Sequence, residues 1–135
     1  MPDLLLSVVE LPDTGDARGS SFSIPAELLK DPFPVADMHV AAIEPGAVRG
    51  NHYHTVRREI LVIMADDRWS LHWDEGGGTE VRRRDFAGSG TVVITIPLGA
   101  SHAIRNDGSA TLRMMGLTDG PYDPQRPDAY RRVVV

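Results

Sequence analysis

Three histidines and one glutamate in this 135-residue chain are spaced so that they could bind one metal ion. His52 and His54 are separated by a single residue, Glu59 follows soon after, and His102 comes much later. Alternate side chains of a β-strand share a face, so the first two imidazoles can converge while Tyr53 points the other way as a packing or interface residue. Imidazole and carboxylate groups are ligands of first-row divalent ions. The spacing therefore predicts a metal site formed by these three histidines and the glutamate.

The segments between the predicted ligands suit this convergence. Glu59 lies an odd number of residues beyond His54, so on a continuous strand the two side chains would point to opposite faces. The polar stretch 55–58 must therefore bend to bring Glu59 to the same metal ion as the histidines. Before His102, Pro97 has a fixed φ and Gly99 permits a sharp reversal of the chain. We therefore expect His102 to come from a distant strand that closure of a barrel places beside the other ligands.

Composition excludes several classes of function. The net charge is -5, which argues against nucleic acid as a partner, since phosphate binding needs a basic face. The basic run 82–84 would alternate faces on a strand and is interpreted as a solvated edge. The chain has no cysteine, hence no disulfide, thiolate ligand or cysteine nucleophile. Residues 4–6 lack a basic leading segment and indicate a strand, and no apolar run is long enough to cross a membrane, so we expect a cytoplasmic protein.

Short apolar runs separated by turn residues predict an all-β fold. We expect eight strands, the number that suits a jelly roll, at residues 4–11, 37–44, 59–64, 68–73, 79–83, 91–96, 102–105 and 111–117. The glycine-rich segments 76–78 and 88–90 are interpreted as hairpin loops, because no helix pattern follows them. A short helix or turn is expected at 23–30. The tail 131–135, two arginines followed by three valines, is expected to pair with a sheet edge or with a second subunit.

The same residues resemble the two motifs of the cupin superfamily. The first motif has the form G-x5-H-x-H-x4-E, and the second has the form G-x6-P-x-G-x2-H-x3-N. Their members here are Gly46, His52, His54 and Glu59, followed by Gly90, Pro97, Gly99, His102 and Asn106. The resemblance implies a double-stranded β-helix jelly-roll barrel with its core at about residues 36–118, and the length of the chain fits a single domain of residues 1–135. The resemblance also implies a homodimer.

A closer resemblance covers most of residues 44–131. The stretches 45–54, 96–102 and 122–130 are similar to the C-terminal cupin domain of bacterial capsular-polysaccharide sugar reductases, and related stretches occur in sugar-nucleotide ketoisomerase cupins. The first family acts on UDP-linked 4-keto-deoxy-amino sugars and is associated with zinc. The resemblance implies a nucleotide-sugar epimerase or isomerase that acts beside a carbonyl group in polysaccharide or deoxysugar biosynthesis.

Such chemistry needs a base within hydrogen-bond reach of the carbon that loses its proton. The candidate bases are His39, Tyr122 and Asp123, and His39 could line the pocket because it alternates with Ala41 and Ile43 along its strand. Alternatively, His39 and His72 are hydrogen-bonded or solvent-facing imidazoles. The arginines at positions 49 and 105 could bind a diphosphate, with surface salt bridges as the simpler interpretation.

The metal and the reaction both have alternatives at this stage. Zn is the first choice, but Fe, Mn, Ni and Cu share the same nitrogen and oxygen ligands. With iron, the four ligands would also suit a non-heme dioxygenase, whereas a small-ligand-binding or sensor cupin would keep the ion and the pocket without catalysis. In each case we expect a small, sugar-like ligand and neither nucleic acid nor a membrane as partner.

Overall fold

A computed structural model describes residues 5–29 and 33–135, and these residues form mainly antiparallel β-strands. The strands are β1 (Ser7–Glu10), β2 (Asp37–Ile43), β3 (Val48–Tyr53), β4 (Glu59–Ala65), β5 (Trp69–Trp73), β6 (Arg82–Phe86), β7 (Gly90–Ile96), β8 (His102–Asn106), β9 (Leu112–Thr118) and β10 (Tyr130–Arg131). A short 3-10 helix, Ala26–Leu29, lies between β1 and β2. None of the helices in this described part of the chain has the length and apolar character needed to span a membrane.

The strands form two five-stranded sheets with the orders β1-β7-β4-β9-β2 and β10-β3-β8-β5-β6. Alternate residues of each strand face the other sheet, and their side chains form one apolar core. Leu61 and Ile94 contribute from the first sheet, and Leu71 and Ile104 contribute from the second. This arrangement confirms the predicted all-β jelly roll.

A second apolar cluster covers the outer face of the first sheet. Ile60, Val62 and Val93 point outward from β4 and β7, and Phe22 and Phe33 from the segment before β2 pack on the same side. The helix predicted at 23–30 lies within this covering segment but is confined to Ala26–Leu29, while residue 30 falls outside the described residues. The backbone N–H of Leu28 donates to the carbonyl of Pro25 at 3.1 Å, which closes a tight turn rather than an α-helix.

The strands differ from the predicted ones by more than one residue at four places. β3 and β10 were not among the eight predicted strands, and β6 begins three residues later than expected. β1 is shorter than predicted, and residue 4 lies outside the described residues. The residues of β3 include Arg, Gly and Asn, so they show no alternation of apolar side chains. Arg82–Arg84 are exposed on β6 at the edge of the second sheet, which confirms the solvated-edge interpretation.

The final residues of the chain are part of the second sheet. β10 pairs with β3 in the register Tyr130 to Tyr53 and Arg131 to His52. Beyond β10, the N–H of Arg132 donates to the carbonyl of Asn51 at 2.9 Å, and Val134 is buried. This confirms that the tail pairs with a sheet edge, and the pairing is made by Tyr130, Arg131 and Arg132 rather than by the valines.

Candidate metal centre

The fold brings the four predicted ligands to one place between the two sheets. His52 is near the end of β3, His54 follows that strand, Glu59 begins β4 and His102 begins β8. His52 and His102 are paired residues on adjacent strands. One potential ligand atom from each of the four lies within 4.8 Å of the others, and all except half-buried His52 are buried. This cluster could hold a metal ion.

One buried nitrogen of the cluster has no hydrogen-bond partner. His102 Nε2 lies 3.1 Å from Glu59 Oε1, within hydrogen-bond distance. His54 Nε2 lies 3.6 Å from the same oxygen, which is too long for a hydrogen bond. It is buried and has no hydrogen-bond partner. A buried nitrogen without a partner is unfavourable, and a cation held by the three imidazoles and the carboxylate would satisfy it, so the residues present fit a divalent ion.

Two of the imidazoles are oriented by backbone carbonyl groups. His102 Nδ1 donates to the carbonyl oxygen of Ala100 at 3.1 Å, and His54 Nδ1 donates to the carbonyl oxygen of Asp128 at 2.5 Å. A carbonyl oxygen can only accept, so the proton of each neutral ring is on Nδ1. Nε2 of each ring faces the cluster, and its lone pair is free to bind an ion when that nitrogen carries no proton, which is the arrangement that metal-binding histidines use.

The electrostatics of the cluster favour an ionised carboxylate among imidazoles of unequal basicity. Burial by itself raises the pKa of Glu59, but the hydrogen bond with His102 and the electrostatic influence of both His102 and His54 lower it well below its usual range. Burial and the neighbouring imidazoles lower the pKa of His52 to about 4. Burial also lowers the pKa of His54, but the adjacent Glu59 carboxylate raises it on balance. Glu59 is thus an anion and His52 a neutral ligand at neutral pH.

The bend predicted between His54 and Glu59 is made by the loop 54–58. Two aspartates that are not part of this loop accept hydrogen bonds from its backbone. The carboxylate of Asp128 accepts hydrogen bonds from the backbone N–H groups of residues 55, 56 and 57 at 2.9, 3.0 and 2.9 Å. Burial opposes ionisation of Asp128, yet these bonds lower its pKa to about 2. Asp119 accepts from the backbone N–H and from Nε of Arg58, both at 2.7 Å. The loop is therefore fixed at both ends.

A cavity of about 330 Å³ opens beside the cluster. Its wall contains His52, Glu59 and His102 together with His39 and Arg49, and His54 is not among the lining residues. The apolar part of the wall is formed by Ala41, Val48, Leu61, Ile104 and Met114. A small polar ligand in this cavity would contact three of the four predicted metal ligands, one candidate base and one candidate phosphate-binding residue.

The structure places the other candidate residues away from that cavity. Tyr122 is exposed under the guanidinium of Arg57, with 5.7 Å between the guanidinium carbon and the ring centre. Asp123 accepts a hydrogen bond from the backbone N–H of Gln125 in a turn. Arg105 pairs with Asp107 at 2.5 Å, and neither it, Tyr122 nor Asp123 lines the cavity. Their roles in catalysis or substrate binding stay predictions.

Two further aromatic residues have packing roles. His72 is buried and its Nε2 lies 2.8 Å from Ser70 Oγ, in agreement with a hydrogen-bonded imidazole outside the cluster. Tyr53 stacks on Tyr130 with ring centres 5.4 Å apart, as expected for a residue that points away from the ligands.

Sequence reasoning missed two residues beside the cavity and the cluster. Gly116 pairs with His39 across β2 and β9, and the imidazole lies where a side chain at position 116 would be. Asp128 supports His54 from 74 residues away. The only signal for Asp128 was its position in the stretch 122–130, where the resemblance assigned it no role.

Comparison with known proteins agrees with this architecture. A family model described as the polysaccharide biosynthesis C-terminal domain matches residues 14–130. No curated protein matches the chain. Among solved structures, the capsular polysaccharide assembling protein CapF from Staphylococcus aureus is 25% identical with a TM-score of 0.66, and the match covers 93% of this chain and 33% of CapF. The chain thus spans about a third of the length of CapF.

Two other solved structures share the fold. A mutant of the 3,4-ketoisomerase QdtA from Thermoanaerobacterium thermosaccharolyticum, in complex with TDP-4-keto-6-deoxyglucose, is 15% identical with a TM-score of 0.70, covering 94% of this chain and 87% of QdtA. NovW, a 4-keto-6-deoxy sugar epimerase from the novobiocin gene cluster of Streptomyces spheroides, is 17% identical with a TM-score of 0.70. The match covers 93% of this chain and 68% of NovW. Because the family model extends over most of the sequence, the chain belongs to the family of polysaccharide biosynthesis C-terminal domains.

Proposed function

We propose that this chain is a metal-dependent enzyme that epimerises or isomerises a nucleotide-linked sugar beside its keto group. The observation that carries the proposal is the cavity in which His39 and Arg49 share a wall with His52, Glu59 and His102. The proteins of similar fold support the substrate class, since one was crystallised with a TDP-linked 4-keto sugar and another is described as a 4-keto-6-deoxy sugar epimerase.

The metal would be held by the four clustered side chains. Their nitrogen and oxygen ligands suit Zn first and also Fe, Mn, Ni or Cu. When bound, a divalent ion would supply positive charge beside the carbonyl oxygen of the sugar, which favours removal of a proton from the neighbouring carbon. The ionised Glu59 and the neutral His52 are in the protonation states that this binding needs.

His39 is the candidate base that the cavity favours. Imidazole is the side chain most often used for proton transfer, and His39 is the member of the predicted set that lines the cavity. In the proposed reaction it accepts the proton from the carbon next to the carbonyl group. Addition of a solvent proton to the other face of that carbon, with loss of the proton from His39 to solvent, gives an epimer. Transfer of the proton from His39 to the former carbonyl carbon, while the hydroxyl of the first carbon passes its proton to the former carbonyl oxygen and becomes the new carbonyl group, gives an isomer. Because Gly116 has no side chain, the imidazole of His39 can occupy the space beside it.

Arg49 is the candidate group for the diphosphate of the nucleotide. Its Nε donates to the carbonyl of Ala42 at 3.0 Å, which fixes the side chain beside the cavity. Guanidinium pairs well with phosphate oxygens, and a residue at the exposed side of the cavity can reach a phosphate while the sugar lies inside.

Deuterium exchange tests the proposal. The zinc-loaded protein is incubated in D2O with UDP- and dTDP-linked 4-keto-6-deoxy sugars, and entry of deuterium beside the carbonyl is followed by NMR. We expect exchange in the wild type and a large loss in His39→Asn and Gly116→Ala, because a methyl group at position 116 displaces the imidazole. Metal content should not change in either variant. The matched variants Tyr122→Phe and Asp123→Asn should retain exchange, since neither residue lines the cavity.

Failure of exchange with every sugar would contradict the proposed activity. Oxygen uptake by the iron-loaded protein would then favour the dioxygenase, and ligand binding without turnover would favour the sensor. Exchange that is lost in Tyr122→Phe but retained in His39→Asn would overturn the choice of base.

A homodimer is the proposed assembly. β2 is at the edge of the first sheet, and its outward side chains Met38 and Val40 are 65% and 76% exposed. An exposed apolar edge strand favours pairing with another strand. Sedimentation measures the mass of the assembly. We expect the mass of two chains for the wild type and of one chain for Val40→Lys, and a monomeric wild type would contradict the proposed dimer.

A further inference from the structure

We propose that Asp128 is a positioning residue for the metal ligand His54, and that the 128–135 segment is therefore part of the metal centre. This inference rests on the proposed metal site. None of the residues of the segment belongs to the cluster of potential ligands. Asp128 acts through His54 by two groups of the same residue, its carbonyl oxygen and its carboxylate.

The carbonyl oxygen of Asp128 selects the form of the His54 ring that can bind a cation. It accepts the hydrogen bond from Nδ1, so the neutral ring keeps its proton there. Nε2 then carries the lone pair and faces Glu59 in the buried cluster, where it has no hydrogen-bond partner. Without this carbonyl, the proton could move to Nε2 and the nitrogen aimed at the ion would lose its lone pair.

The carboxylate of Asp128 fixes the position of that carbonyl. Asp128 has a φ of 47°, in the left-handed region that non-glycine residues seldom adopt. Its Oδ1 accepts from the backbone N–H and from Oγ1 of Thr55, both at 2.9 Å. Its Oδ2 accepts from the backbone N–H groups of Val56 and Arg57 at 3.0 and 2.9 Å. Both oxygens are thus used to hold Asp128 against the loop that follows His54.

The remainder of the 128–135 segment is bound to the strand that carries the ligands. β10 pairs with β3 at His52 and Tyr53. Asn51, at a φ of 57°, lies at the irregularity of β3 between Gly50 and His52. Its Oδ1 accepts from the backbone N–H groups of Val134 and Val135 at 2.9 and 3.3 Å. The segment therefore cannot shift without also moving the backbone that places His52.

A purely structural role for Asp128 would give different consequences. If it only stabilised the 54–58 loop, its replacement would lower the free energy of unfolding without changing the proton position on His54. Asp67 offers a matched control, because its Oδ2 accepts from the backbone N–H and Oγ of Ser109 at 2.8 and 3.0 Å in a loop whose residues are not in the cluster.

The test compares Asp128→Gly, Asp128→Asn and Asp67→Asn with the wild type. Glycine tolerates the left-handed conformation and keeps the backbone carbonyl, but it removes both carboxylate oxygens. Asparagine keeps one side-chain acceptor and is the variant to use if the glycine variant does not fold. Zinc affinity is measured by competition with a coloured chelator. The proton position on His54 is read from 15N NMR of the metal-free protein. We expect zinc binding roughly 10- to 100-fold weaker in the Asp128 variants, as for other residues that orient ligands, with loss of the Nδ1-protonated form. Asp67→Asn should match the wild type in both.

The outcomes separate this inference from the proposed function. A folded Asp128 variant with wild-type zinc affinity would overturn the inference, and so would weaker binding with an unchanged proton position on His54. A wild type that binds no zinc would overturn the proposed metal site, while the NMR measurement would still decide whether Asp128 controls the His54 ring.

Discussion

The regions around His102 and His54 achieve the same orientation by different means. Each imidazole donates from Nδ1 to a backbone carbonyl and presents Nε2 to the cluster. For His102 the carbonyl belongs to Ala100, two residues earlier in the same turn. For His54 it belongs to Asp128, 74 residues later. One ligand is thus oriented by its own turn and the other by a distant segment, so mutations far from the cluster should act mainly through His54.

Loss of a ligand from either region should have the largest effect. We expect His102→Ala and His54→Ala each to lose most of the bound metal and to lower the melting temperature of the metal-loaded protein, because an ion that binds only the folded state stabilises it. Elemental analysis gives the metal content per chain. His72→Ala is the control, since His72 is also buried but is bonded to Ser70 outside the cluster, and it should keep its metal. Unchanged metal content in both ligand variants would remove the site.

Asp74→Asn should have an intermediate effect on stability, and it should act on both the turn before His102 and the C-terminal segment. Asp74 is buried and joins them, because it accepts from the backbone N–H of Ser101 at 3.1 Å and from Nε of Arg132 at 2.5 Å. Loss of this charged acceptor should lower the free energy of unfolding by about 2 kcal/mol at neutral pH. Urea denaturation measures this change. Asp85→Asn is the control and should change stability little, since the bond of Asp85 to Arg83 is exposed.

The effect of Asp74 should also depend on pH. Burial raises the pKa of Asp74, but its hydrogen bonds, first that from Arg132, lower it on balance. A carboxyl group with a lowered pKa in the folded state stabilises the protein above its usual pKa and loses this contribution as the pH falls. The difference in the free energy of unfolding between the wild type and Asp74→Asn should therefore be largest at pH 7 and decrease below about pH 4. A difference that grows at low pH would contradict this account.

Gly99→Ala should have the smallest effect of the three. Gly99 has a φ of 84°, and a methyl group at this position would have no other atom within 4 Å, so the cost is backbone strain of about 1 kcal/mol. Its N–H donates to the carbonyl of His54 at 2.8 Å, and its turn leads to His102. Gly88→Ala at a φ of 77° is the matched control. Both should lose similar stability by urea denaturation, but only Gly99→Ala should weaken zinc binding.

The difference between the two regions also explains what the sequence could predict. The ligands were found because histidine spacing and the turn at Pro97 and Gly99 are local features. The eight predicted strands and the jelly roll followed from apolar runs in the same way. Asp128 could not be found, since its contact with His54 depends on pairing of β10 with β3. Neither strand has the apolar alternation that indicates a strand from sequence.

The displacement of β6 has a tertiary cause. Its register against β5 places Phe86 opposite Trp69, and the two rings stack with centres 4.0 Å apart. Burial of this aromatic pair outweighs the β-propensity of residues 79–81, which lie before the strand. Sequence alone does not contain that register.

The order of strands within the first sheet constrains how the protein can be made. β1 pairs with β7, and β2 pairs with β9, so β1 and β2 leave the ribosome before residues 90–118, which contain their partners. Pairing between such distant segments makes folding slow, on the order of milliseconds to seconds. Until residues 90–118 have been made, β1 and β2 therefore lack these partners and are open to binding by chaperones.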